Sequence, residues 1–160
     1  MNRTFNSGIV IASVFALGAF FVLGGFVSIA GADKKTDKAA ADVRAVLDAQ
    51  VAAWNRGDVD GFMAGYEKSD QIVFVSGDSV MRGWQTVLDR YKKNYATREK
   101  MGTLSFGELE FKPLSDHYMS VVGRFQLTRA ADTPHGRFTL IFRRTNSGWR
   151  IVHDHTSSAS

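Results

Sequence analysis

The last third of the chain is patterned almost continuously as β-strand, and no other feature constrains the fold as strongly. Apolar and polar side chains alternate through residues 103–114, 118–128, 137–144 and 148–156, which is the period of a strand with one buried face. Short segments of turn-forming residues separate these runs, the last of them being Asn146-Ser147-Gly148. Strands joined by such short turns pair antiparallel, so the pattern predicts an antiparallel meander of four strands.

Helical periodicity and two short strands precede the meander. Helices are predicted from Asp42, after Asp58 as N-cap, and after Gly83, with short strands at 71–76 and 79–82. Helices followed by a long antiparallel meander predict an α+β fold, with the helices packed on one face of a curved sheet. The apolar stripe of the first helix consists of Val43, Val46, Leu47, Val51 and Trp54.

The amino-terminal segment predicts delivery to a membrane. Residues 9–30 are apolar or small, and no charge occurs between Arg3 and Asp33. This length is sufficient to span a bilayer as a helix, which favours an uncleaved anchor. The small residues Ala30-Gly31-Ala32 instead favour a signal peptide that is cleaved before Asp33. Both alternatives predict a protein that is exported or membrane-anchored, in the cell envelope.

The expected organisation is a signal peptide or anchor at 1–32, a linker at 33–41 and a domain at 42–158. Three lysines follow the apolar run, and this bias on its own would keep the domain in the cytoplasm. Export is nevertheless the expectation, because the cleavage pattern is the more specific signal. The three lysines are Lys34, Lys35 and Lys38.

Charge and cysteine content exclude some classes of function. The chain has 20 basic and 16 acidic residues, a net charge of +4, and these charges are scattered rather than gathered in a basic stripe. Nucleic-acid binding is therefore not expected. Cysteine is absent, so no disulfide or thiolate metal site can form. No metal site is expected either, because His117 and His135 lack ligand spacing relative to the other histidines.

The final strand carries the candidate functional residues. Strict alternation puts Trp149, Ile151, His153 and His155 on one face, and Asp154 on the other with Arg150, Val152 and Thr156. The strand would then begin in the core and end at a cavity. A two-residue hairpin loop would place Leu140 opposite His153 and Phe138 opposite His155; a three-residue loop would shift this register. Asp154 would then pair with a basic residue such as Arg137 or Arg150.

Imidazole exchanges a proton near neutral pH, with an unperturbed pKa of about 6.5. His153 and His155 are accordingly the catalytic candidates, although buried, neutral and purely structural histidines fit the same pattern. The strand face that carries Arg124 and Gln126 would line either the cavity or a subunit interface. The complete set of predicted ligand-binding residues is His153, His155, Arg124, Gln126, Tyr66 and Trp84.

Three motifs resemble one superfamily. They are the corner Trp54-Asn55-Arg56-Gly57-Asp58, the helix entry Arg82-Gly83-Trp84, and the ending at 148–157 with its His-x-His. Together they resemble the nuclear transport factor 2-like superfamily, in particular its SnoaL-like bacterial branch, and are similar to the association domain of calcium/calmodulin-dependent kinase. The resemblance implies a cone-shaped sheet wrapped round helices, with a cavity at its open end and frequent dimerisation.

Members of this superfamily include isomerases, cyclases, dehydratases and assembly domains, so the resemblance leaves the function open. The ketosteroid-isomerase branch has an aspartate base on its first strand, where this chain has Val73-Phe74-Val75-Ser76 and no carboxylate. We therefore expect a homodimeric domain that binds a small organic molecule in an apolar pocket rimmed by histidines. The alternatives are a cofactor-free isomerase, cyclase or dehydratase with a histidine base, and an assembly domain without ligand.

Overall fold

The computed structural model describes residues 29–159 of the chain, and their side chains from residue 34 onwards. The predicted apolar segment at 9–30 lies almost wholly outside the described residues, so its role as anchor or signal peptide stays a prediction. Within residues 29–159, no helix combines the length and apolar character needed to cross a membrane.

Residues 29–159 contain four helices: α1 (Ile29–Asn55), α2 (Val59–Met63), α3 (Trp84–Asn94) and α4 (Arg98–Met101). Helix α1 begins well before the predicted Asp42 and includes residues 33–41, which were expected to form a linker. Alanines and lysines make this stretch a good helix former. Its side chains also make ion pairs, Lys38 with Asp42 at 2.8 Å and Lys35 with Asp116 of the sheet at 2.7 Å.

The corner between α1 and α2 has a structural role, as its motif indicates. Asp58 caps α2 by accepting a hydrogen bond from the Gly61 backbone N–H at 2.7 Å. The Asn55 side chain bonds to both backbone groups of Leu104, at 2.7 and 3.0 Å. Because Leu104 lies on the first strand of the meander, these two bonds fix the corner against the sheet.

In the described part of the chain, one six-stranded sheet packs against the helices in the order β2-β1-β6-β5-β4-β3. Its strands are β1 (Val73–Ser76), β2 (Ser79–Arg82), β3 (Thr103–Ser115), β4 (Tyr118–Thr128), β5 (His135–Thr145) and β6 (Gly148–Ser158). Strands β3 to β6 form the predicted antiparallel meander. Strand β1, however, runs parallel to β6. The curved sheet is therefore mixed, and the prediction of a purely antiparallel sheet is wrong, because no hairpin constrains the direction in which β1 joins β6.

A β-bulge in β6 decides which side chains face the helices. Phe142 lies opposite Ile151, as predicted, but Ile141 lies opposite His153, so Val152 is an extra residue in β6. The bulge coincides with a change of neighbour. Both backbone groups of Ile151 bond to the segment after α2, through Gly65 and Glu67 at 2.9 Å, whereas β1 pairs with β6 from His153 onwards.

One extra residue reverses the alternation of every later side chain. Asp154, rather than His153, lies opposite Leu140, and Thr156, rather than His155, lies opposite Phe138. The predicted register and face of the two histidines are therefore wrong. The inner face of β6 consists of Trp149, Ile151, Asp154, Thr156 and Ser158.

Candidate functional site

A cavity of about 240 Å³ lies between the helices and the inner face of the sheet. This volume is just below the roughly 300–1,000 Å³ of typical small-molecule sites, so it suits a compact ligand. Aromatic side chains are the largest group in the wall. They are Trp54, Phe62, Tyr66, Phe74, Tyr91, Tyr95, Phe106, Phe125 and Phe138.

Asp154 places a carboxyl group in this aromatic wall, with only 3% of the residue exposed. The Tyr66 hydroxyl donates a hydrogen bond to Oδ2 at 2.6 Å, and the Thr156 hydroxyl donates one to Oδ1 at 2.6 Å. Burial raises the pKa of Asp154 to about 6, although both hydrogen bonds act to lower it. The carboxyl group can therefore gain or lose a proton close to neutral pH.

Two tyrosines of the cavity wall are influenced by Asp154. Tyr66 follows α2 and bridges to Ile151 of β6, which directs its hydroxyl towards Asp154. Tyr91 comes from α3 and lines the same cavity. Burial, followed by the nearby charge of Asp154, raises the pKa of both tyrosines, so both are neutral phenols at neutral pH. Neutral phenols can donate or accept hydrogen bonds.

Asp154 has no basic partner among the residues that the structure describes. The predicted pairing with Arg137 or Arg150 is wrong: Arg137 pairs with Glu108 at 2.6 Å, and Arg150 donates to the Trp149 carbonyl at 2.7 Å. Of the buried residues described, only Gln50 and Asp154 are polar or charged. The Gln50 amide also lines the cavity and donates to the Phe62 carbonyl at 3.0 Å.

The cavity opens to solvent at those of its lining residues that are exposed. Asn94 and Ser158 are exposed, and Arg90, Arg129 and Pro134 are partly exposed. These residues come from α3, from the end of β6 and from the connection between β4 and β5. The opening is therefore polar and positively charged, in contrast to the aromatic interior.

Tyr66 lines the cavity, but neither His153 nor His155 does. His153 is half-buried on the outer face of the sheet, between Val73 and Ile141. His155 is exposed, between Val75 and Thr139. Their reversed orientation follows directly from the bulge at Val152.

The other three predicted residues also lie away from the cavity. Arg124 is on the outer face, 3.9 Å from Glu108, and Gln126 follows on that same face of β4. The Trp84 indole donates to the Met63 carbonyl at 3.0 Å, and the Lys68 ammonium lies 5.1 Å from its ring centre. Among the described residues, no cluster of three or more histidine and acidic side chains could hold a metal ion.

Sequence reasoning missed Asp154, Thr156, Arg90 and Arg129 as cavity residues. The only local signal was the Asp154-x-Thr156 spacing, which puts two polar groups on one strand face. That signal could be assigned to the cavity only with knowledge of the bulge. Arg90 and Arg129 come from separate elements, and no motif connects them.

Comparison with known proteins agrees with this architecture. The SnoaL-like domain family model matches residues 43–160. A solved NTF-2-like protein of unknown function from Shewanella oneidensis is 41% identical, with a TM-score of 0.71, over 74% of this chain and 98% of its own. No curated protein matches the sequence.

Two more distant solved structures share the fold. A ketosteroid isomerase-like protein from Erwinia carotovora is 21% identical, with a TM-score of 0.60, over 75% of this chain and 95% of its own. A nuclear transport factor 2-like superfamily protein from Salmonella enterica is 18% identical, with a TM-score of 0.63, over 78% of this chain and 94% of its own.

Proposed function

The chain belongs to the family of SnoaL-like domains, and on that basis we propose that its cavity binds a compact organic molecule, with Asp154 as the polar group that orients it. The observation that carries this proposal is the placement of one buried carboxyl group in a wall that is largely aromatic and aliphatic. A few convergent polar groups in an apolar cavity are typical of small-molecule sites.

The energetic cost of Asp154 supports a functional role. Burying a carboxylate without a cation is unfavourable, and its raised pKa expresses that cost. A residue that served only to fill the core would be more stable as an apolar side chain. Perturbed ionisable groups in clefts are accordingly frequent at functional sites. Tyr66 and Thr156 hold the carboxyl group in one orientation, as a ligand-binding group requires.

Phenol is a suitable probe, because its ring matches the aromatic wall and its hydroxyl can donate to Asp154. Anisole is the matched control, since methylation removes that donor. We expect phenol to shift the NMR amide signals of Tyr66, Tyr91 and Asp154, anisole to bind more weakly, and Asp154→Asn to remove most of the difference. Equal binding of both probes, or shifts confined to the outer face around His153 and His155, would contradict the proposal.

Proton-transfer catalysis is a second candidate function, and one observation favours it. Asp154, with a pKa of about 6, has the acidity of an effective general base near neutral pH. The proposed step is removal of a proton from carbon next to a carbonyl group by Asp154, followed by return of that proton to a second carbon. This isomerisation needs no cofactor, and it assigns the role of base to Asp154 instead of a histidine. One solved structure of this fold is described as ketosteroid isomerase-like.

The conversion of 3-cyclohexenone into its conjugated isomer tests the catalytic candidate, because the product absorbs in the ultraviolet. We expect Asp154→Asn to lower kcat by at least about 100-fold, in line with general-base catalysis, and the native rate to rise with pH through about 6. A rate that survives Asp154→Asn but falls in His153→Gln or His155→Gln would support the histidine base instead.

We also propose that the domain forms a homodimer through the outer face of the sheet and is delivered to the cell envelope by its amino-terminal segment. Val122 and Tyr118 of β4 lie on that face and are about 40% exposed. A second copy of this face would cover these apolar groups. Membrane fractionation of the full chain tests the delivery, and recovery of all the protein without membranes would contradict it.

A further inference from the structure

We infer that the molecule bound in the cavity is an organic acid, whose anionic group is held at the opening by Arg90 and Arg129 and whose body extends towards Asp154. This inference rests on the proposed binding function and adds the chemical class and the orientation of the ligand. Arg90, Arg129 and Asp154 are the charged residues that line the cavity. Two cations thus lie at the opening and one carboxyl group lies deep inside.

Arg90 projects from α3 without a described acidic partner. Its guanidinium group lies 5.6 Å from the centre of the Phe74 ring, which is itself part of the cavity wall. Among the residues that the structure describes, no carboxylate lies within ion-pair distance of Arg90. A cation–π contact with an aromatic ring helps to position the guanidinium group and leaves its N–H groups available to an anion.

Arg129 supplies the second cation from the end of β4. Its Nη1 donates to the Lys100 carbonyl at 3.2 Å, which anchors the side chain. Its Nε lies 2.8 Å from Oδ1 of Asp132, so this guanidinium group is already paired with one carboxylate. Its remaining N–H groups can still donate to an anionic oxygen at the opening.

Electrostatics fixes the orientation of such a ligand. An anionic group placed next to Asp154 would meet a like charge in a poorly hydrated environment, which is strongly unfavourable. The same group at the opening would meet Arg90, the guanidinium group of Arg129, whose charge Asp132 partly offsets, and bulk water. The acid therefore lies outermost, the apolar body contacts the aromatic wall, and a donor group at the far end reaches Asp154. The small volume limits the body to about one ring.

4-Hydroxybenzoate has this arrangement, with a carboxylate and a hydroxyl group at opposite ends of one ring. Phenol lacks the carboxylate, and methyl 4-hydroxybenzoate carries the same ring with a neutral ester. Calorimetric titration of the folded native protein at pH 7.5 should show 4-hydroxybenzoate binding roughly tenfold tighter than either neutral compound, as a charge-assisted contact implies. Increasing sodium chloride from 20 to 300 mM should weaken the binding of 4-hydroxybenzoate and leave the binding of the two neutral compounds unchanged.

Variants separate the two arginines from the rest of the site. Arg90→Gln and Arg129→Gln should each lower the affinity for 4-hydroxybenzoate roughly tenfold and leave the affinity for phenol unchanged. Arg144→Gln is the matched control. Arg144 is an exposed arginine near the end of β5, whereas the opening lies near the start of that strand, so this substitution should have no effect on binding. If Arg129→Gln fails to fold, Arg90→Gln and the salt dependence of the native protein still decide the question.

The outcomes distinguish this inference from the proposed function. Phenol binding that depends on Asp154, combined with no preference for the acid and no salt effect, would overturn the inference and retain the function. Equal losses for phenol and 4-hydroxybenzoate in the arginine variants would overturn it as well. Failure of every probe to bind the native protein would reject both.

Discussion

Replacing Asp154 with asparagine is expected to stabilise the folded protein at pH 8 and to abolish a pH dependence of its stability. Asp154 binds its proton more tightly in the folded protein than in the unfolded chain, because burial raises its pKa from 3.8 to about 6. The stabilisation that this proton provides is fully present when the pH is below the pKa of Asp154 in the unfolded chain. It is lost as the pH rises through the folded pKa of about 6.

The magnitude follows from that difference in pKa. At about 1.4 kcal/mol per pKa unit, ionised Asp154 costs the folded state about 3 kcal/mol at pH 8. Roughly 2 kcal/mol of this loss falls between pH 4.5 and pH 8. The conversion applies because the carboxyl group is buried rather than screened by solvent.

Asparagine nearly preserves the shape of the site and removes only the charge. The hydroxyl groups of Tyr66 and Thr156, which now donate to the carboxylate, can rotate so that one of them accepts from the amide. The exchange of these hydrogen bonds should cost about 1 kcal/mol. We therefore expect Asp154→Asn to be about 2 kcal/mol more stable than the native protein at pH 8, and about equal to it in stability at pH 4.5.

Urea unfolding at both pH values, followed by tryptophan fluorescence, measures the effect. Asp48→Asn, an exposed substitution on α1, is the control for loss of an acidic residue and should retain the native pH profile. Destabilisation by Asp154→Asn at pH 8, or an unchanged pH profile, would refute the argument that Asp154 is held at an energetic cost. Increased stability with loss of ligand binding is the expected combination for a functional residue.

Three further outcomes are expected. Trp149→Ala should lose about 3–5 kcal/mol of unfolding free energy in urea, because the ring is buried; a loss below about 1 kcal/mol would show that the ring contributes little. Asn55→Ala should lose about 1–3 kcal/mol, since it leaves both backbone groups of Leu104 without their partner, and a neutral effect would contradict the role of the corner. The chain without residues 1–32 should sediment as a dimer at micromolar concentrations, and Val122→Lys should convert it to a monomer; a native protein that is already monomeric would refute the interface.

The strands of this protein are determined largely by local sequence. Alternation predicted β2 and β4 at their observed bounds and β3, β5 and β6 within two residues at each end, because the period of two arises from the geometry of the backbone itself. The helix corner was equally local, since Asp58 caps the helix that follows it. The three motifs at the corner, at the entry to α3 and at the last strand together identified the family.

The site depended on contacts between distant parts of the chain. The parallel pairing of β1 with β6 joins segments about 80 residues apart, and no local pattern encodes its direction. The bulge at Val152 arises where β6 changes its neighbour from residues 65–67 to β1. That single extra residue turned His153 outward and Asp154 inward. Arg90 of α3 and Arg129 at the end of β4 line one cavity only because distant parts of the chain fold together. The sequence by itself determined that side chains alternate along β6. Tertiary packing decided which face each side chain after Val152 occupies, because a bulge costs little locally and is selected by the segments that pair with β6 on either side.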